Sequence, residues 1–123
     1  GIVTELLNKG NEVIAVDFIT NFVDKRAKLI ECNLFEIQDP FLYFDRPDVL
    51  LHLAWKDGFV HYSDAHIVDL PLHYAFLKSF AESGCKHIAV MGSMHEVGFF
   101  EGSINENTPC NPITPYGIGK NAL

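Results

Sequence analysis

A chain of 123 residues, 48% of them hydrophobic, suits one domain with a buried core and excludes a disordered one. A formal net charge of −7 gives an acidic surface that repels phosphate backbones and anionic headgroups, so neither nucleic acid nor a membrane is expected as a partner. No apolar run approaches the roughly 20 residues that span a bilayer, and the longest, Val49–Trp55, is interrupted by His52.

Residues 2–9 carry Ile2, Val3, Leu6 and Leu7 at the spacing of one helical face, and Gly10 is a good stop. Glu12 to Asp17 is a β-branched run, apolar on both faces as a central parallel strand is. Residues 27–32 alternate and predict a second strand. Residues 34–44, with Pro40, read as an irregular connector. Val49 to Trp55 predicts a third strand. Residues 63–83 predict the longest helix, with Ala65, Val68, Leu72, Ala75, Phe76 and Phe80 near a 3.6 period and a kink or a start near Pro71. His87 to Ser93 predicts a fourth strand, 98–115 a loop, and a last helix starts near Tyr116. Strands alternate with helices or connectors, without hairpin signals. The fold class is therefore α/β, a Rossmann-like doubly wound parallel sheet. The three cysteines, Cys32, Cys85 and Cys110, form no close pair and read as reduced thiols of a cytoplasmic protein. Charged and polar residues throughout the first 20 positions argue against a signal peptide.

Tyr116 and Lys120 stand four apart and share a face of the last helix. A phenol titrates near pH 10 and is a poor base at neutrality, but a neighbouring ammonium favours the phenolate, which can take a proton from a hydroxyl while hydride leaves the same carbon. The plain alternative is an exposed pair, and the two glycines between them weaken a helix. Ser93 closes the fourth strand, where ligands bind in open parallel sheets, and its hydroxyl could bond a substrate oxygen and the tyrosine, or merely end the strand. Asp17 closes the first visible strand. It reads either as the acidic residue that accepts from ribose hydroxyls and disfavours a 2′-phosphate, or as a turn aspartate. His61, His66 and His73 lie in or near one helix, but no carboxylate or cysteine completes a metal spacing. They read as surface or packing residues, and no metal is expected. Phe99-Phe100 could wall a pocket or cover a sheet edge.

Taken together, these residues resemble the extended short-chain dehydrogenases of the NAD-dependent epimerase/dehydratase family, and the resemblance runs along essentially the whole chain. Its carriers are Leu6 to Val13 with Val16-Asp17, then His52-Leu53-Ala54, then Gly92-Ser93 through Val97-Gly98. Asn105-Glu106, Pro109, Pro112 and Tyr116-Gly117 with Lys120 complete the set. The resemblance implies NAD along the strand ends, near Asp17 and Phe18, Asn33 and Leu34, Leu53, Ala54 and Trp55, and Asp69, with Lys120 on the nicotinamide ribose. It implies Tyr116 as acid/base and Ser93 as the group orienting the reacting oxygen. Met94 and His95 would face a nucleotide-diphosphate sugar. His95 reads equally as a loop residue without a role. Asp69 stands where many members carry asparagine, and Val97 replaces a common tyrosine. Met94 and His95 occupy the places of the Asp-Glu pair of the 4,6-dehydratases, so dehydration is disfavoured.

The leading expectation is nucleotide-sugar epimerisation through a transient keto sugar. A 4-keto reductase or sugar dehydrogenase is the runner-up, and a non-catalytic NAD(P)-binding regulatory protein is the rival from another class. A homodimer through the long helix and the Tyr116 helix is implied by resemblance alone. The reading makes 1–123 one NAD-binding domain truncated at both ends, with the glycine-rich loop before Gly1 and the substrate-binding region after Lys120. The 123-residue piece by itself is accordingly expected to be inactive, and measurable turnover of any nucleotide sugar by the isolated piece contradicts this.

Overall fold

The computed structural model describes residues 1–123, which divide into two compact units, 1–46 and 47–123. In the first unit, helix α1 (Ile2–Asn8) ends where Gly10 turns to φ 82°. The Gly10 amide reaches the Leu7 carbonyl and the Asn11 amide the Leu6 carbonyl, so the glycine stop satisfies two of the helix's last acceptors. Strand β1 (Ile14–Asp17) pairs in parallel with β2 (Lys28–Glu31), in register from Ile14 opposite Lys28 to Asp17 opposite Glu31. Thr20, buried in the connection, donates its amide and its hydroxyl to the same Glu31 oxygen, each at 2.9 Å. These two bonds hold the Glu31 carboxyl below its ordinary range.

The stretch 34–44, expected to be irregular, is instead two short helical turns. Asn33 accepts from the Phe35 amide to start a 3-10 turn at Leu34–Glu36. Asp39 accepts from the Leu42 amide to start α2 (Pro40–Tyr43), with the proline at the first position, where no amide is needed. Hydrophobic periodicity is blind to elements this short, whose signal lies in their caps.

In the second unit, β3 (Val49–His52) pairs in parallel with β4 (His87–Val90). Both strands are shorter than the apolar runs that predict them, and the Met91 amide bonding the His52 carbonyl continues the pairing just past β4. Leu53 to Trp55 and Met91 to Ser93 therefore leave the strand ends as loops. The helix expected over 63–83 is two: α3 (Ala65–Val68) and α4 (Leu70–Glu82), broken at Asp69 so that Pro71 falls in the first turn of α4. Phe76 and Phe80 of α4 are buried with ring centroids 4.9 Å apart, and His52 packs its ring on Phe76 at 5.6 Å. Both units thus bear parallel strands joined through helices or turns, the α/β character expected from the alternation of patterns.

A pair of histidines lies within the second unit. His52 Nε2 and His73 Nδ1 are 2.8 Å apart and both residues are buried, so one ring donates and the other accepts. Burial first, then the charges of His73 and Lys120, push His52 down to about 4. Burial, reinforced by Lys120 and opposed by Asp69, also lowers His73. Both rings are neutral in the folded state, whereas the unfolded chain takes up protons near pH 6.5. The stability they support is therefore complete above pH 6.5 and is lost as the pH falls from there toward about 4. Urea unfolding followed at successive pH values should show a loss of roughly 2–3 kcal/mol across that window from His52, and a flat profile across it contradicts the neutral pair.

Candidate active site

Helix α5 (Pro115–Ala122) starts at Thr114, whose hydroxyl accepts from the Gly117 amide at 3.1 Å, with Pro115 at its first position. Tyr116 and Lys120 lie on it one turn apart, as their spacing predicts. The two glycines between them have a reason that the sequence does not disclose. A Cβ on Gly117 would stand 2.3 Å from the His95 carbonyl oxygen, and one on Gly119 would stand 2.7 Å from that of His66 and 3.2 Å from the Trp55 ring. The glycines weaken the helix locally and let it lie directly on the backbone of two other segments.

Lys120 is 8% exposed. Its Nζ donates to the Met91 carbonyl at 2.7 Å and stands 4.3 Å from the centre of the Trp55 ring. Burial lowers its pKa from the ordinary lysine value, and the nearby Glu96 carboxylate opposes that shift. The Tyr116 amide bonds the His61 carbonyl at 3.0 Å. Around the phenol ring stand His61, stacked at 5.3 Å, His95 and His66 edge-on at 5.2 Å, and Trp55 edge-on at 6.2 Å.

Ser93 lies three residues beyond β4 rather than within a strand. It caps a 3-10 turn at Met94–Glu96: its hydroxyl accepts from the His95 amide at 3.3 Å, and Glu96 accepts from the Ser93 amide at 2.6 Å. That reciprocal cap fixes the turn, and His95 at its centre meets the face of α5 at Gly117. An open cleft of about 350 Å³ lies beside it, lined by Met94, His95, Gly98, Phe99, Ile113 and Thr114. Phe99, undecided between pocket wall and edge cover from sequence, is a wall of this cleft.

The structure thus brings Tyr116, Lys120, Trp55, His95 and the backbone of Met91 into contact, with Ser93 heading the turn that carries Met94 and His95. Leu53 and Ala54 follow directly on β3, ahead of Trp55. Asp69 sits at the junction of α3 and α4, and its charge acts on His73. The other expected cofactor residues belong to the first unit. Asp17 is the last residue of β1, exposed, and one carboxylate oxygen accepts from the Phe18 amide at 2.7 Å. The second oxygen is left as an acceptor of the kind a ribose diol requires. Phe18 is 69% exposed. Asn33 spends its side chain on the Phe35 amide and on Glu36, and Leu34 opens the 3-10 turn. Within the second unit, the buried Lys120 ammonium keeps donors beyond its bond to Met91, the chemistry that a ribose diol of NAD requires; within the first unit, Asp17 keeps a carboxylate oxygen of the kind such a diol also requires.

Sequence reasoning missed the surroundings of Tyr116. His61 and His66, read only as surface or packing residues, border the phenol, and Trp55, expected only among the cofactor residues, contacts Lys120 through its side chain. These contacts join residues 50 to 65 positions apart, so no local spacing signals them.

The sequence model of the NAD dependent epimerase/dehydratase family matches residues 1–123. The dTDP-6-deoxy-L-talose 4-dehydrogenase (NAD(+)) of Aggregatibacter actinomycetemcomitans is 45% identical over 127 residues, an overlap covering 99% of this chain and 47% of that protein. The UDP-glucose 4-epimerase of Thermotoga maritima superposes with a TM-score of 0.78 at 20% identity, over 98% of this chain and 43% of the epimerase. The UDP-glucuronic acid 4-epimerase of Bacillus cereus, solved in complex with NAD, gives 0.73 at 16% identity over 97% and 44%. At such identities these two likenesses speak of fold alone, and the fold they share is the Rossmann-like one that the strand and helix pattern predicts. The chain spans about half the length of the relatives it matches. On the family match, this chain belongs to the NAD-dependent epimerase/dehydratase family.

Proposed function

We propose that the complete protein is an NAD-dependent enzyme that interconverts a hydroxyl and a ketone on the ring of a nucleotide-diphosphate sugar, and that residues 1–123 are its cofactor-binding domain. The observation that carries this reading is the buried Lys120 ammonium one helical turn from Tyr116, beside the loops that leave two parallel strands. Family membership supports the cofactor.

The roles assigned to its residues are those that the family pattern implies. Asp17 accepts from the adenosine ribose and repels a 2′-phosphate, with Phe18, Asn33 and Leu34 toward the adenine. Lys120 donates to the nicotinamide ribose, and Leu53, Ala54, Trp55 and Asp69 complete the cofactor contacts. NAD, when bound, supplies the hydride acceptor. Tyr116 takes the proton of the sugar hydroxyl as the carbon loses its hydride, and returns it when the ketone is reduced. Ser93, whose oxygen accepts from the His95 amide at 3.3 Å, keeps its O–H and a second lone pair to orient the reacting oxygen. Met94 and His95 border the sugar from the cleft. A regulatory role without turnover has no use for a buried cation beside a phenol, and this disfavours it.

Two outcomes share this machinery. An epimerase returns the hydride to the other face of its transient ketone and ends with oxidised cofactor. A dehydrogenase, running in reverse as a 4-keto reductase, ends with one cofactor changed per sugar. Epimerisation is the reading drawn from the family pattern, and the 45% identical relative, a dTDP-6-deoxy-L-talose 4-dehydrogenase, favours the second. Exposed apolar side chains on three helices, Ile67, Val68, Leu72 and Ile118, support a homodimer. Three free thiols support a cytoplasmic location.

Two measurements test the reading. Tyr116→Phe in the complete protein is expected to lower kcat by about a hundredfold or more while NAD affinity stays within a few-fold, and near-normal turnover refutes the assigned base. Absorbance of reduced cofactor over a single turnover with dTDP-linked 6-deoxy sugars separates the two outcomes: net stoichiometric appearance or loss marks the dehydrogenase, and a return to the starting signal with an inverted product marks the epimerase.

A further inference from the structure

Trp55 is the one tryptophan of the chain, and three neighbours fix its ring. Its indole N–H donates to His66 Nδ1 at 2.9 Å. An indole nitrogen can only donate, so Nδ1 must accept and the His66 proton sits on Nε2, where it is given to the Val60 carbonyl at 2.9 Å. One imidazole tautomer is thereby selected in a residue that is 1% exposed. His73 stacks on the indole at 4.6 Å, with planes 17° apart. The ring edge lies so near Gly119 that a Cβ there would come within 3.2 Å. Over the ring thus held stands the Lys120 ammonium at 4.3 Å, its reach limited by the bond to the Met91 carbonyl. An ammonium carries three donors, and the Met91 bond uses one of them. The ring face attracts the charge without using up a donor.

We propose that Trp55 is a positioning residue: its indole face, locked by His66 and His73, seats the Lys120 ammonium so that the remaining donors are aimed at the cofactor ribose. The inference rests on the role of Lys120 given under the proposed function, and extends it to the Trp55 indole, which acts on the ribose through that lysine, while the cofactor contact assigned to Trp55 itself is made by its backbone. A lysine on a four-carbon stem would otherwise lose its position to rotamer freedom.

The test uses the complete protein in four forms besides the unaltered one: Trp55→Leu, Trp55→Phe, Lys120→Met and the Trp55→Leu/Lys120→Met double variant. Trp55→Leu should lower kcat and NAD affinity by about tenfold each, and Trp55→Phe, which keeps a ring face, should recover most of that loss. In the Lys120→Met background, Trp55→Leu should change neither quantity further. A purely structural tryptophan would impair both backgrounds equally, and that result overturns the proposal. A second readout needs neither cofactor nor substrate. Trp55 emission in the apoprotein, isolated as the difference from Trp55→Phe, should follow the titration of Lys120 as the pH is raised, and the step should vanish in Lys120→Met. Identical titrations with and without Lys120 overturn the seat even if Trp55→Leu fails to fold. Full turnover by Lys120→Met would sink the role assigned to that lysine, while the emission experiment would still decide whether the indole holds it.

Discussion

The second unit is organised around the burial of one positive charge. Withdrawing an ammonium from water costs several kcal/mol unless nearby groups compensate it. The Met91 carbonyl, the Trp55 ring and the field of Glu96 provide that compensation for Lys120. Each comes from a different stretch of chain: the loop after β4, the loop after β3, and the turn that Ser93 caps. Burying Lys120 therefore requires α5 to lie against all three, and the same placement puts Tyr116 against His61 and His95. Gly117 and Gly119 are the condition for that approach, since a methyl group at either would overlap a backbone carbonyl. A helix weakened by two glycines is thus held by tertiary contact rather than by its own propensity.

Histidines line this arrangement in two ways. His52 and His73 form a neutral, mutually hydrogen-bonded pair in the packed interior against Phe76. His66 is a peg between the Trp55 indole and the Val60 carbonyl. Both arrangements satisfy ring nitrogens that burial would otherwise leave costly. His61 and His95, with ring centroids 4.1 Å apart, are less buried and border the phenol. The same residue type thus stands buried in the interior and half-buried beside the phenol at adjoining places. This links acid stability to the site, because the pair that must stay neutral touches the indole on which Lys120 rests.

The turn from Ser93 to Glu96 shows how a local rule prepares a functional group. The reciprocal cap holds the backbone rigidly, yet the serine oxygen is committed only to a 3.3 Å bond with the His95 amide. Glu96 completes the cap and also sustains the charge on Lys120. Asp17 in the first unit follows a similar economy: one oxygen steadies the chain after β1 and the other remains an acceptor. Neither residue is spent entirely on the fold.

Much of this protein was legible in its sequence. The β-branched, largely apolar runs at 14–17, 49–52 and 87–90 mark strands because such side chains favour the extended backbone. Gly10 and Pro71 mark helix limits through backbone restrictions that act locally. The placing of Tyr116 and Lys120 on one helix follows from the helical repeat. The capped turns at Asn33 and Asp39 escaped, being too short for any period to show. The tertiary structure alone decided that Lys120 is buried, that Trp55 and Met91 receive it, and that three histidines surround the phenol. Those contacts join segments far apart in the chain, and covalent order carries local propensity but not the distance between side chains that meet only after folding.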